Sequence, residues 1–120
     1  MNSVDKIEAF KQRTKNLSLR VIKLFQSLPK TDEAGILGKQ LLRSATSVAA
    51  NYRASCRARS DAEFFSKISI VVEEADETLF WLELLLDAGI VTKEKILLLM
   101  NEYEEVLKIA NTVRYMKKGK

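Results

Sequence analysis

Histidine is absent from the 120 residues, and cysteine, tryptophan and proline occur once each. Each gap closes a class of chemistry or of fold. Without histidine there is no Ser-His-Asp triad, no Cys-His pair and no Cys/His zinc site. The lone Cys56 permits no intramolecular disulfide, which suits a reducing compartment, and a cytoplasmic location is expected. One proline and four glycines are too few for a β-sandwich, which needs turn signals roughly every 8 to 12 residues. Residues 1–10 include Asp5, Lys6 and Glu8 and hold no apolar run of signal-peptide length. Walker-type and dinucleotide glycine motifs are missing too, so neither a cofactor nor a metal is expected.

What is present is the composition of a globular chain, 47% hydrophobic and 30% charged, at a length that suits one domain over residues 1–120. The net charge of +4 conceals segregation. Residues 1–29 and 30–60 each hold six basic and two acidic groups, residues 61–88 hold one basic and eight acidic, and residues 89–120 hold seven basic and four acidic. An acidic third segment among basic ones serves self-association as readily as nucleic-acid binding.

Apolar periodicity predicts an all-α fold, an antiparallel up-down-up-down four-helix bundle. Helix one, from about Val4 to Leu28, carries a seam of Ile7, Phe10, Thr14, Leu17, Val21, Leu24 and Leu28, and Pro29 ends it. Thr31 or Asp32 caps helix two, whose seam runs Leu37, Leu41, Ala45, Val48, Tyr52 and then Ser55 or Cys56, with Gly35 and Gly38 weakening its first turns. Cys56 is expected to act as a small buried hydrophobe, and Asn51 to satisfy a neighbouring polar group. Ser60-Asp61-Ala62-Glu63 reads as a capping box opening helix three, which runs through Phe64, Ile68, Val71, Ala75, Leu79, Leu82 and Leu86 to a stop at Gly89. Helix four follows Thr92 with Ile96, Leu99, Tyr103, Val106, Ala110 and Val113.

Two helices carry a second stripe. On helix three Ile70, Glu74, Glu77, Trp81 and Leu84 form a seam roughly opposite the core one. On helix two Arg43, Ser47, Ala50, Ala54 and Arg57 keep the same steps away from the core. Trp81 either covers the edge of the bundle or anchors a subunit interface. Small residues at the middle of the helix-two stripe admit a close partner, and an ion pair of Arg43 or Arg57 with Glu74 or Glu77, within or between subunits, is expected.

The segments QLLRSATSVAANYR (residues 40–53) and EADETLFWLELL (residues 74–85) resemble the hallmark stretches of a bacterial family. These are the four-helix-bundle proteins encoded by intervening sequences of large-subunit ribosomal RNA genes, related to accessory variability proteins of retroelements. The resemblance covers all four helices. It implies a ring-shaped homopentamer without enzymatic reaction, one branch of which accompanies a retroelement reverse transcriptase and its RNA. The chain departs from the common pattern at Arg53-Ala54-Ser55-Cys56-Arg57, where many members carry an acidic residue and a glycine.

Three functions follow. The first is a non-catalytic homo-oligomer that associates with RNA, its candidate phosphate contacts being Lys11, Lys15 and Lys23 on helix one and the tail Lys117, Lys118 and Lys120. The plain alternative for these lysines is solubility. The second is a protein-protein adaptor or scaffold, such as an accessory subunit for a reverse transcriptase. An enzyme comes third and is not expected, because Glu73, Glu74 and Glu77 lack the histidine companions of bundle metal sites.

Overall fold

The computed structural model describes residues 2–118, with side chains as far as Met116. Four helices follow one another: α1 (Ser3–Ser27), α2 (Asp32–Cys56), α3 (Asp61–Asp87) and α4 (Lys93–Lys118). Their starts and stops have local causes. Asn2 Oδ1 accepts from the Asp5 amide at 2.8 Å, and Thr31, the first of its two candidates, caps α2 through the Ala34 amide at 3.3 Å. Half of the capping box at α3 forms as expected, the Glu63 amide donating to Ser60 Oγ at 3.0 Å. The other half is displaced by one residue, because the Glu63 carboxylate accepts from the Arg59 amide (3.4 Å) rather than that of Ser60. At the end of α3, Gly89 takes φ +73°, and the amides of Gly89 and Ile90 bond back to the carbonyls of Leu86 and Leu85, both at 3.0 Å. That pair of bonds is a Schellman stop, which glycine adopts without steric cost.

Loops of a few residues turn each helix back on its predecessor, so α1 packs on α2, α2 on α3 and α3 on α4, within overall extents of 46 × 26 × 19 Å. The core follows the predicted seams: Leu17, Val21, Leu41, Val48, Ile68, Val71, Leu82, Ile96, Tyr103 and Val106 are almost wholly buried. Each such side chain contributes about 1.5–3 kcal/mol relative to an exposed one. Leu37, Phe64, Leu86 and Val113 are half-buried against this core, and two seam positions are exposed against expectation. Ile7, in the second turn of α1, is 46% exposed, because it lies beyond the end of the packed core. Cys56 is exposed, and Ser55, the alternative residue, occupies the buried position with its hydroxyl on the Tyr52 carbonyl at 2.6 Å.

Small polar residues draw the helices together. Thr78 donates across to Ser44 Oγ at 2.9 Å, and Ser44 donates in turn to the Leu41 carbonyl at 3.1 Å, so both buried hydroxyls bridging α2 and α3 are satisfied. Ser18 of α1 lies 3.3 Å from the Ala45 carbonyl. Gly38, predicted as a weak point of α2, has a packing role: a Cβ there would stand 2.6 Å from Leu28 Cδ1 and 2.9 Å from Phe25 Cδ1. The α1/α4 border is clamped by Arg13, whose Nε and Nη2 reach Glu102 at 3.0 and 2.9 Å while Nη2 also meets Glu105 at 3.2 Å. No helix among the described residues is long and apolar enough to cross a membrane.

Candidate nucleic-acid interface

Polar side chains sort into two places on this frame. The first is the α2/α3 border. Arg43, half exposed, donates from Nη1 to Glu74 Oε2 at 3.0 Å and from Nη2 to Glu77 Oε1, and its Nε reaches Gln40 at 3.3 Å. The Trp81 indole N–H donates to the same Glu77 oxygen at 3.2 Å. The hydrogen bond from Arg43 holds the Glu77 carboxyl below its usual range. The expected ion pair thus forms within one chain, through Arg43.

The helix-three stripe is not opposite the core. At 100° per residue its centre lies about 120° round from the buried seam, which brings it alongside α2. Ile70, Glu74, Glu77, Trp81 and Leu84 are all half-buried there, and Trp81 packs on the core's edge. The large apolar side chain exposed on α3 is instead Phe80, at 52%. It meets the Trp81 ring edge to face at 4.9 Å between centroids. Asn51, beside the core face of α2, donates to the Ser47 carbonyl and hydroxyl, each at 3.0 Å.

The second place is a groove of about 460 Å3 between α1 and α2. Lys11 and Lys15 stand on the α1 wall, Arg53 and Arg57 on the α2 wall, and Ala49 and Ala50 are small residues between them. The two faces meet because α1 and α2 are antiparallel and both pairs are spaced i, i+4, one turn apart. Among the described residues a single carboxylate lines the groove, that of Glu8, 3.0 Å from Lys11 and held below its usual range by that contact. Among the described residues no acidic group lies within ion-pairing distance of Lys15, Arg53 or Arg57, whereas Arg13, Arg43 and Arg59 are each paired with glutamate.

Arg57 therefore does not share the glutamates of Arg43, although both belong to one heptad stripe. A straight helix drifts about 20° per heptad, and the two heptads between them turn Arg43 toward α3 and Arg57 toward α1. Ala50 follows Arg57 into the groove, while Ser47 and Ala54 are half-buried. Sequence reasoning missed Arg53 as a site residue; its signal was the i, i+4 pairing with Arg57, opposite the same spacing of Lys11 and Lys15. Lys23 is exposed, about 12 Å further along α1 than Lys15 by helical rise, and does not line the groove. Lys117 and Lys118 close the last turn of α4, but their side chains, and Lys120 altogether, lie outside the described residues.

Comparison with known proteins gives this arrangement a context. The chain matches the family model of the 23S rRNA-intervening sequence protein over residues 8–112. Among solved structures it is similar to a protein with unknown function from the S23 ribosomal protein family of Bacteroides thetaiotaomicron. The two are 32% identical, with a TM-score of 0.85 over 92% of this chain and 98% of that one. No curated protein matches it.

Proposed function

The chain belongs to the 23S rRNA-intervening sequence protein family, and from that premise we propose a cytoplasmic, non-catalytic homo-oligomer, a pentameric ring, that associates with RNA through a basic surface. One observation carries the RNA part. Lys15, Arg53 and Arg57 gather in one groove without ion-pairing acids among the described residues, while Arg13, Arg43 and Arg59 are each spent on glutamates. Cations left unneutralised together are the electrostatic footprint of a phosphate-binding surface. Exposed Lys23 adds a cation on α1 beyond the groove, and the tail lysines Lys117, Lys118 and Lys120 are proposed as further phosphate contacts.

Apolar exposure supports the assembly. Ile36, Phe80 and Leu98 are 64%, 52% and 70% exposed, and covering such side chains by a second copy removes apolar area from water. Multi-angle light scattering at micromolar concentration checks this directly: the expected mass is several times 13.6 kDa, and a stable species at 13.6 kDa contradicts assembly.

A second reading draws on the same exposed side chains. In it a partner protein, such as a retroelement reverse transcriptase, covers them and the bundle acts as an adaptor. Fluorescence anisotropy with a structured RNA separates the two. Binding that weakens steeply between about 50 and 200 mM salt supports the RNA reading, and no binding even at low salt hands the role to the adaptor.

A further inference from the structure

Resting on the RNA reading above, we propose that the α1/α2 groove takes the sugar-phosphate backbone of base-paired RNA in preference to an unpaired strand. The reason lies in the lining. Four residues of helix advance about 6 Å, so Lys11 and Lys15 on one wall, and Arg53 and Arg57 on the other, offer cations at a spacing comparable with that of successive phosphates along a strand. Ala49 and Ala50 are too small to hold a backbone away from these cations, and Gln12 adds an amide and Thr46, whose proton is on the Leu42 carbonyl at 2.8 Å, an acceptor oxygen, groups of the kind that meet ribose 2′-hydroxyls.

Among the described residues no aromatic ring lines the groove. Proteins that hold unpaired strands stack the bases on aromatic faces. An unpaired strand laid here gains phosphate contacts alone, leaves its bases in water, and gives up its chain flexibility. In a duplex the bases are already stacked on one another and the phosphates are already fixed in register, so the groove receives everything a duplex offers and the ordering cost is smaller. Glu8 is the internal competitor. Its carboxylate sits 3.0 Å from Lys11 Nζ, where a phosphate oxygen would otherwise go, and both side chains are partly exposed.

The test is competition anisotropy on the intact protein at about 100 mM salt, where phosphate contacts still bind measurably. The unlabelled competitors are an RNA hairpin, an unstructured RNA strand of equal length and a DNA duplex. The hairpin is expected to compete about tenfold better than the unstructured strand and better than the DNA, whose deoxyribose lacks the 2′-hydroxyl. Arg53→Gln with Arg57→Gln should erase the preference. Glu8→Gln should tighten hairpin binding several-fold, a gain that misfolding cannot mimic. An unstructured strand that competes as well as the hairpin overturns the duplex preference and leaves the RNA reading standing. Equal competition by duplex DNA overturns the assignment to RNA, and failure of every nucleic acid to bind defeats the broader reading as well.

Discussion

Tyr103 is fully buried, yet its hydroxyl has no hydrogen-bond partner among the described residues, and burial pushes its ionisation far above the usual phenol range. A desolvated, unpaired hydroxyl costs about 1–3 kcal/mol. Tyr103→Phe keeps the ring and removes the cost, so urea unfolding should show unchanged stability or a gain of up to about 1 kcal/mol; a clear loss would mean that the hydroxyl has a partner. Arg43 behaves in the opposite way, since removing it strands Glu74 and Glu77 together. With the guanidinium half exposed, Arg43→Gln should cost only about 1 kcal/mol at neutral pH. The cost has a definite pH dependence. Glu77 has a lowered pKa in the fold, so its share of the stability is complete above the ordinary carboxylate value and is lost as pH falls through the lower folded value. The stability gap between wild type and Arg43→Gln should stay flat from about pH 7 to 5 and narrow in more acid solution. A gap that widens toward acid would contradict the pairing.

At the scale of the element, two glycines three residues apart on α2 make a paired test. Gly35 has open space where a Cβ would go, so Gly35→Ala should raise stability by about 0.5–1 kcal/mol through helix propensity alone. Gly38 faces Leu28 and Phe25, so Gly38→Ala should lower it by about 1–3 kcal/mol through overpacking. Thermal or urea denaturation of the two variants should move in opposite directions. The sequence read both glycines alike, because propensity is local and the approach of Leu28 is not. The seams of α1 to α4, the Ser60 cap and the Gly89 stop were legible, since a 3.6-residue period and a capping hydroxyl are properties of a few neighbouring residues. What was not legible depends on how a face is divided between neighbours. A strict seven-residue count kept Arg43 and Arg57 together, whereas the helix turned them to α3 and α1. The same limit put the helix-three stripe opposite the core when it lies alongside α2, with Trp81 at the core's edge, one of its two expected places.

Across the whole molecule, charge is arranged in space much as it is along the chain. Exposed Glu73, Asp76, Glu83 and Asp87 lie on α3, and the groove of Lys11, Lys15, Arg53 and Arg57 lies between α1 and α2. Such separation permits copies to attract one another while each still presents cations to a polyanion. In a ring the groove recurs once per subunit, and one RNA that spans several grooves binds more tightly than any single contact allows. Whether this groove holds RNA through its phosphates is read from the salt slope of RNA affinity. That slope, log K against log salt, is to be compared between the wild type and the Arg53→Gln, Arg57→Gln double variant. If the groove holds RNA, the wild type shows a steep slope that falls in magnitude by about 2 or more in the variant; equal slopes for the two proteins would place the phosphates elsewhere.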